Sequence, residues 1–329
     1  MHLDLLHDLR TQHGRTSIVA FAPRGEVLLV GASKATTLWA ISAGQRPSLR
    51  ATVRPGRGPS SVTTAGFHPL SPVLATNGGR FSIASFWECG PTSGLSPIVT
   101  YPWSDKRAAI ARGEAGAAFV LAFRPGTTTL ATGHTGGTVR LWDASMPSQP
   151  CELDQLRVTA AYVDALAFSP DGTVLAVADH VGHVNIWHYA SVHAFIPVYT
   201  SSVATGRASY LTFSFDGRLF AANTFLDVAV WDSGTASTQP TARLTRMPGV
   251  RTGMARAVAF HPRLPVLACG DVQGAVSLWD LSDSAHPRLV AVIPVHHRPV
   301  TTLSFHPSGG ILAVGCRDGM TALWAFAEA

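Results

Sequence analysis

Charged side chains are scarce in this chain, and lysine is almost absent from it. Charged residues make up 14% of the 329 residues and hydrophobic residues 46%, while arginine outnumbers lysine by 23 to 2. This balance excludes a disordered chain, because it supplies the apolar surface of a large core. The arginine bias indicates a GC-rich coding sequence, so only the placement of the arginines is informative about function.

Long apolar runs, a secretory signal and paired cysteines are also missing. No apolar run reaches the ~18 residues of a membrane helix, so we expect no membrane association. The start, MHLDLLHDLR, lacks the basic, apolar and small-residue segments of a signal peptide. The four cysteines show no CxxC spacing, and Cys269 and Cys316 lie in apolar segments, where free thiols are typical. We therefore expect a cytoplasmic protein.

Tryptophan, in contrast, recurs at a nearly constant interval. Seven of the eight tryptophans follow a phenylalanine by 18 to 20 residues, and steps between them run from 44 to 55 residues. The seven are Trp39, Trp87, Trp142, Trp187, Trp231, Trp279 and Trp324. Each repeat also has a leucine six or seven positions after its phenylalanine, and in repeat five Leu219 takes that place. Alanine follows the leucine in five repeats, whereas repeats one and five have bulkier Leu29 and Phe220 there. This period is typical of propeller blades.

Within one repeat, the pattern predicts a four-stranded antiparallel meander. In the seventh copy, Val300 to Phe305 read as a first strand, Ile311 to Gly315 as a second and Met320 to Trp324 as a third. Turn residues HPSGG and RDG separate them. An apolar stretch such as Arg288 to Val295, after a polar loop, supplies a fourth, outer strand. Gly, Pro and β-branched residues interrupt any helical period.

The last repeat lacks its outer strand, since the chain reaches Ala329 soon after Trp324. Residues from about His2 to Leu9 precede the first repeat and are apolar enough to supply that strand. The sequence thus predicts an all-β, seven-bladed ring that its amino-terminal strand closes, in one domain of residues 1–329. Such closure hides the sheet edges.

The chain resembles the WD-repeat family of seven-bladed β-propellers over essentially its whole length. The dipeptides Trp142-Asp143, Trp231-Asp232 and Trp279-Asp280 carry the resemblance, together with the segment LAFSPDGTVLAVADHVGHVNIW at 166–187. The resemblance implies the propeller fold and, for a chain with no attached catalytic domain, a protein-interaction scaffold. It does not identify the partner, because one propeller serves many tasks.

The resemblance also implies a buried tetrad of His, Ser/Thr, Asp and Trp in each blade, and these tetrads are eroded here. Repeat seven keeps His296, Asp318 and Trp324 as structural residues but has Val314 at the hydroxyl position. Repeat three keeps Thr132 and Trp142, with Glu114 and Gly136 at the other places. Repeats four and six have Val181 and Gln273 at the Asp position. Apolar packing must therefore carry most of the stability.

Arginine placement suggests a binding surface. In this family the loops that join each outer strand to the next blade lie, with the second-to-third-strand turns, on one face, here called the top face. Each of the seven joining loops contains an arginine, and our candidate partner-binding residues are Arg15, Arg57, Trp103, Arg107, Arg112, Arg207, Arg246, Arg251 and Arg298. Such a face would attract an acidic or phosphorylated protein. The alternative is that these are solvated loop charges of an arginine-rich chain.

Two long loops are the predicted partner footprint. One, at 102–117, contains Trp103, the only tryptophan outside the repeats; the other, at 246–256, is basic. Trp and Arg are favoured interface anchors, although Trp103 could equally pin its loop to the blade. The loops lack the interleaved aromatics of a stacking platform, which argues against nucleic acid.

The sequence carries no linear catalytic motif and predicts no catalytic residue, metal site or cofactor. The closely spaced His180 and His183 are unsuited to sharing one ion with His188. Four top-face aspartates are conceivable acids but resemble turn-stabilising ones: Asp164, Asp179, Asp227 and Asp271. The favoured function is a non-enzymatic scaffold that presents the top face to a protein. The alternative is an enzyme or small-ligand binder that uses the central opening of that face.

Overall fold

The fold is a ring of seven β-sheets. A computed structural model describes residues 1–10, 14–42, 44–53, 62–77, 82–89, 95–102, 118–191, 194–202, 207–224, 227–235, 237–245 and 255–328. Within these ranges, 28 strands form seven antiparallel sheets of four strands each, which confirms the predicted propeller. No helix among the described residues is long and apolar enough to cross a bilayer.

The first four blades each contain four consecutive strands, from the innermost outward. Blade 1 consists of β2 (Thr16–Phe21), β3 (Val27–Ala32), β4 (Thr36–Ala40) and β5 (Ser48–Val53). Blade 2 consists of β6 (Ala65–Phe67), β7 (Val73–Thr76), β8 (Ser82–Glu88) and β9 (Ser96–Pro102). Blade 3 consists of β10 (Ala118–Phe123), β11 (Thr129–His134), β12 (Thr138–Asp143) and β13 (Cys151–Arg157). Blade 4 consists of β14 (Val163–Phe168), β15 (Val174–Asp179), β16 (His183–Ser191) and β17 (Ala194–Ser202).

Blades 5 and 6 repeat this plan, and blade 7 combines the two ends of the chain. Blade 5 consists of β18 (Leu211–Phe213), β19 (Leu219–Asn223), β20 (Val228–Asp232) and β21 (Ala242–Leu244). Blade 6 consists of β22 (Ala255–Phe260), β23 (Val266–Asp271), β24 (Ala275–Asp280) and β25 (Arg288–Pro294). Blade 7 consists of β26 (Val300–Phe305), β27 (Ile311–Cys316), β28 (Met320–Ala327) and, outermost, β1 (His2–Arg10).

Strand β1 closes the ring, as the sequence predicts. It pairs antiparallel with β28, from His2 opposite Ala327 to Arg10 opposite Met320, with a register shift between Leu5 and His7. Leu3 is buried at 6% exposure, whereas Leu5, two residues later on the same face of the strand, is 56% exposed. After the register shift, Leu9 is buried at 3% exposure. The amino-terminal strand therefore contributes apolar side chains to the core as well as backbone hydrogen bonds.

The hydrophobic core is divided among the interfaces between neighbouring blades. The buried apolar residues form seven clusters, and each cluster draws its members from two adjacent blades. Burial of these faces supplies the main stabilisation, at roughly 25 cal/mol per Å² of apolar surface. Small residues keep the blades close; a Cβ at Gly133 would meet Val163 of the next blade.

The expected place of Phe220 is wrong by one position. Phe220, rather than Leu219, lies opposite Trp231, as Leu175 lies opposite Trp187 in blade 4. Ala221 therefore occupies the small position that the sequence assigned to Phe220. The ring of Phe220 stacks on the indole of Trp231, with centroids 5.0 Å apart and planes 4° from parallel. Phe220 lies opposite Phe213, seven residues earlier, just as Leu175 lies opposite Phe168 in blade 4, so the turn between the first two strands has its usual length.

The repeated tryptophans find their hydrogen-bond acceptors in different places. Three take threonine: the indole Nε1 of Trp39 donates to Thr37, that of Trp87 to Thr76 and that of Trp142 to Thr132, at 2.9–3.0 Å. Trp279 donates to Ser277 on its own strand. Trp231 donates to Ser201, which belongs to the outer strand of blade 4. The buried indole N–H groups of Trp187 and Trp324 find no acceptor among the described residues, since valine replaces the hydroxyl in their blades.

At the end of the ring that carries the turns between first and second strands, here called the bottom face, side chains connect neighbouring blades. The Nε2 of His261 in blade 6 lies 3.1 Å from the carbonyl oxygen of Gly309 in blade 7. His306 makes the same contact with Gly25 across the closure, at 3.2 Å, and Arg124 donates to Gly172 at 2.8 Å. His261, His306 and Arg124 thus hold successive blades together.

Candidate partner-binding face

The innermost strands of all blades begin at the same end of the ring, the top face. There, the hydroxyl of Thr301 in blade 7 donates to the carbonyl oxygen of Thr16 in blade 1 at 2.7 Å. The hydroxyl of Ser17 donates in turn to the carbonyl oxygen of Val62, which precedes β6, at 2.6 Å. The joining segments and the second-to-third-strand turns meet at this end, around the central opening.

Three of the predicted partner-binding residues lie on the described part of the top face. Arg15 directly precedes β2, Arg207 lies before β18 and Arg298 lies before β26, and all three are exposed. The structure therefore distributes these three around the ring, in blades 1, 5 and 7. The other candidates fall outside the described residues: Arg57, Trp103, Arg107, Arg112, Arg246 and Arg251.

Arg207 is fixed by a carboxylate of the preceding blade. Asp164 is the extra residue of a β-bulge in β14, and its side chain is only 6% exposed. Its Oδ2 lies 2.7 Å from Nε of Arg207, and its Oδ1 accepts from the NH2 nitrogen at 3.2 Å. Nδ1 of His180 lies 2.9 Å from the same Oδ2. This bidentate contact orients the guanidinium toward solvent and offsets its charge.

Beside this cluster lie two exposed apolar side chains that the sequence reasoning missed. Tyr162, in the joining segment before β14, is 52% exposed, and Val181, in the turn after β15, is 60% exposed. The ring of Tyr162 lies 5.8 Å from that of His180, whose backbone N–H donates to the carbonyl oxygen of Tyr162. A signal was present, because Val181 is an apolar residue at a turn position where the repeat pattern expects aspartate.

Tyr210 lies at the edge of the central opening. It directly precedes β18 and is partly buried, and its hydroxyl donates to the carbonyl oxygen of Thr301 at 2.7 Å. Burial raises the pKa of this hydroxyl, and the positive charges of Arg15, Arg207 and Arg256 act on it in the opposite direction. Arg256 is exposed between Ala255 and Ala257 in β22. It belongs to the basic segment 246–256 of the predicted footprint but was not named among the candidate residues, and the structure places it in a strand.

The other top-face aspartates are occupied in turns. Asp179 accepts from the Thr159 hydroxyl at 2.6 Å and from the backbone N–H of His183 at 2.8 Å. Burial favours a raised pKa for Asp179, but these hydrogen bonds outweigh it and lower the pKa below its usual value. Asp271 accepts from the backbone of Gln273 and Ala275 in the same way. Both behave as turn-stabilising residues.

Asp227 and His183 are also engaged with neighbours. Asp227 accepts from the Thr224 hydroxyl at 2.6 Å and pairs with Arg243 at 3.1 Å. His183 contacts Asp179 while His180 contacts Asp164, so the two histidines address different carboxylates. Within the described ranges, no group of three or more His, Cys, Asp or Glu side chains is arranged to hold a metal ion.

Comparison with known families agrees with this architecture. The family model described as "WD domain, G-beta repeat" (WD40) matches residues 113–143, which contain β10 to β12 of blade 3, and residues 287–325, which contain β25 of blade 6, β26, β27 and most of β28 of blade 7. The chain therefore contains WD40 repeats within a seven-bladed β-propeller. Comparison with curated proteins finds no match. WD40 propellers generally serve as protein-interaction scaffolds and bind protein partners.

Blades 7 and 3 both depart from the WD40 tetrad. In blade 7 the hydrogen-bond network of the tetrad is interrupted, and in blade 3 a different residue supplies its histidine. Nε2 of His296 lies 3.4 Å from Oδ2 of Asp318 and 2.8 Å from Sδ of Met320, while the indole of Trp324 has no acceptor in the described part of the chain. In blade 3, the Thr132 hydroxyl accepts from Trp142 and lies 2.9 Å from Nε2 of His134. His134 thus supplies the histidine of this blade from β11. Glu114 lies outside the described residues.

In blades 4 and 6 of this WD40 propeller, the aspartate missing from the turn is replaced by another aspartate, two residues earlier in the sequence. The sequence places Val181 and Gln273 at the family's aspartate position. Asp179 and Asp271, at the ends of β15 and β23, accept the backbone N–H groups of those turns instead. The turn geometry is therefore kept while the tetrad is lost.

Proposed function

We propose that this WD40 propeller is a non-enzymatic, cytoplasmic scaffold that binds an acidic or phosphorylated protein partner on its top face. The observation that carries the proposal is the cluster of Tyr162, Val181 and Arg207, in which an exposed aromatic ring and an apolar side chain accompany an arginine already held in position. Tyr and Arg are enriched among residues that dominate interface affinity.

The rigidity of this cluster favours binding. Arg207 is held by two contacts to Asp164, and Tyr162 is connected to His180 through its backbone and its ring. Ordering a flexible side chain on association costs roughly 0.5–1.5 kcal/mol, and side chains that are already positioned avoid much of this cost. The cluster therefore suits direct contact with a partner.

The exposed cations support the acidic or phosphorylated character of the partner. Arg15 and Arg298 are exposed on the same face, without a carboxylate partner among the described residues. The buried acids of this face already have partners: Asp179 and Asp271 accept hydrogen bonds within turns, and Asp227 pairs with Thr224 and Arg243. Unpaired cations at a rim accelerate encounter with an acidic surface and make it sensitive to salt.

Affinity capture from the native host, followed by mass spectrometry, tests the proposal. We expect a protein that wild-type chain captures to be lost by a Y162A/V181S variant and weakened by R15E/R298E at low salt. The matched control is L70S/F215A, which removes two exposed apolar side chains from bottom-face turns. Equal loss with the control, or retention by all variants with unchanged folding, would contradict top-face docking.

A further inference from the structure

Strand β1 is the outermost strand of blade 7, and its outward edge has no strand partner in the described part of the chain. The centre of this strand carries two adjacent leucines, Leu5 and Leu6, which are 56% and 43% exposed. Unpaired backbone groups beside exposed apolar side chains make such an edge a template for pairing with another chain. The circumference of blade 7 therefore offers a surface that is separate from the top face.

The other outer strands carry features that protect an edge. Strand β21 has only three residues, and β13 has charged side chains at three of its seven positions. Strands β9 and β25 contain proline, and β5 has the exposed Arg50. Strand β17 also exposes Ile196 and Val198, but Pro197 between them has no N–H to donate to an added strand. Strand β1 has neither a proline nor an arginine beside its exposed leucines.

The bulge at Leu6 belongs to the plan of the blades and does not set β1 apart. Five other outer strands have a register shift at the same place, directly after the residue that lies opposite the repeated tryptophan. In β1 the shift follows Leu5, which lies opposite Trp324. Pairing with β28 therefore fixes the bulge, and the edge beyond it keeps the direction of a strand.

Blade 1 extends the exposed apolar surface next to β1. Leu49 of β5 is 53% exposed and lies opposite Trp39, so it is at the same level of the ring as Leu5. Trp39 belongs to the apolar cluster between blades 7 and 1. Residues opposite each other in a sheet share a face, so Leu49 is turned toward blade 7. The exposed leucines of the two outer strands thus form one row along the circumference.

We infer that β1 is a self-association edge, to which a second copy of this chain adds its own β1 in the antiparallel direction, with a two-fold axis at Leu5. In such an isologous contact one patch must be complementary to itself. With Leu6 kept in its bulge, this pairing places Asp4 opposite His7 of the second copy, and symmetry repeats the pair. An imidazole N–H donates to each carboxylate, and the two Leu5 side chains meet on the axis.

The acidic side chains of β1 select this register. Asp4 is exposed at the surface, where its Oδ2 lies 3.2 Å from Nε2 of His2 on the same strand. Like charges directly opposite each other on paired strands are destabilising, whereas an acid opposite a histidine is favourable. A slip that placed Asp4 opposite Asp8 of the second copy would bring two acids together. The order of acids and histidines along β1 therefore fits a second copy in the register centred on Leu5.

Pairing at this edge leaves the top faces of both copies uncovered, because β1 lies on the circumference of the ring. The two blade 7 sheets join into one sheet of eight strands. Since the paired strands run in opposite directions, the two top faces also point in opposite directions. The dimer presents two separate docking faces, and self-association through β1 is independent of what the top face binds.

Sedimentation of the full chain over a range of concentrations tests the edge. We expect the mass to rise from 34.7 kDa to twice that value as the concentration increases. The L5S/L6S variant should raise the dimer dissociation constant at least about tenfold, because two apolar side chains leave the contact. The matched control, I196S/V198S, makes the same change on β17 and should dimerise as the wild type does.

Three outcomes of this experiment would overturn the inference. They are a wild-type chain that stays monomeric at every concentration, an L5S/L6S variant that dimerises normally, and an I196S/V198S variant that loses the dimer equally. Melting of dilute protein shows that L5S/L6S is folded, since both leucines are exposed in the single chain.

A charge exchange tests the register. We expect D4K and H7E each to weaken the dimer, because D4K removes the acceptor of the His7 imidazole and H7E places two acids opposite each other. The double variant D4K/H7E should restore dimerisation, since one acid again lies opposite one cation in both symmetric pairs. A double variant as weak as the single ones would overturn the pairing of Asp4 with His7.

Discussion

The hydroxyl of Tyr210 donates to the carbonyl oxygen of Thr301 at 2.7 Å, and this bond joins blades 5 and 7 past blade 6. The other side-chain contacts described between innermost strands connect adjacent blades, as Thr301 does with Thr16. The Tyr210 bond therefore braces the rim of the central opening over a wider arc.

Removing this hydroxyl measures its contribution to stability. We expect Tyr210→Phe to lower the free energy of unfolding by about 1 kcal/mol, the usual net value of a partly buried hydrogen bond. Urea denaturation gives the value. The control, Tyr162→Phe, removes an exposed hydroxyl on the same face and should change stability by less than about 0.5 kcal/mol. Equal effects of the two substitutions would show that the hydrogen bond between Tyr210 and Thr301 makes no measurable contribution to the free energy of unfolding.

Ring closure by β1 is tested by comparing substitutions at a buried and an exposed leucine of this strand. We expect Leu9→Ala, at a buried site, to cost about 2–5 kcal/mol of unfolding free energy, through lost apolar contact and a cavity. Leu5→Ala, at an exposed site on the same strand, should cost less than about 0.5 kcal/mol. Deletion of residues 1–10 should leave the chain insoluble or markedly less stable. A truncated chain that melts like the full one would contradict the closure.

The unpartnered tryptophans offer a stabilising substitution. By strand register, Val177 and Val314 occupy the position of Thr132, whose hydroxyl accepts from Trp142. We expect Val177→Thr and Val314→Thr each to stabilise by about 0.5–1.5 kcal/mol, by giving the buried indoles of Trp187 and Trp324 an acceptor. Denaturant unfolding measures this. Thr132→Val, the reverse change, should destabilise; a destabilising V177T would mean the hydroxyl cannot reach the indole.

Acid should lower the stability of the folded protein through three histidines of the bottom face, His68, His261 and His306. Burial lowers the pKa of each, and Nδ1 of each accepts at least one backbone N–H, so the folded state needs them neutral. An unfolded histidine has a pKa of about 6.5. Above that pH neither the folded nor the unfolded state binds the proton, and the contribution of these histidines to stability is fully present. As the pH falls below about 6.5, toward the folded pKa, the unfolded state gains protons first and stability declines.

Melting temperatures between pH 8 and pH 5 check this expectation. His261→Gln retains a side-chain donor for Gly309 but does not titrate, so the variant should lose less stability on acidification than the wild type. The control is His297→Gln, at an exposed histidine on the top face. An H261Q chain with an unchanged pH profile would show that this inter-blade contact is insensitive to protonation.

Much of the fold could be predicted because each blade repeats a local pattern. The Phe and Trp spacings predict the inner and third strands, and the apolar start predicts β1 as the closing strand. The place of Phe220 failed because Leu219 matches the residue type of the repeat, whereas the length of the first turn places Phe220 opposite Trp231. The site was predicted less well: Arg207 was named, and Arg256 lay in the basic segment 246–256 without being named, whereas Tyr162 and Val181 were not proposed as binding residues, since they belong to a conventional loop and turn.

The sequence by itself determined the number of blades and the order of strands within them, since periodic apolar residues and turns act over a few neighbouring positions. Only the tertiary structure decided which distant groups meet. Ser201 accepts from Trp231 of the next blade, Asp164 holds Arg207, and Tyr210 reaches Thr301, 91 residues away. Such pairs depend on how each sheet is rotated against the next around the ring, a geometry that closure imposes on the whole and that no single repeat encodes.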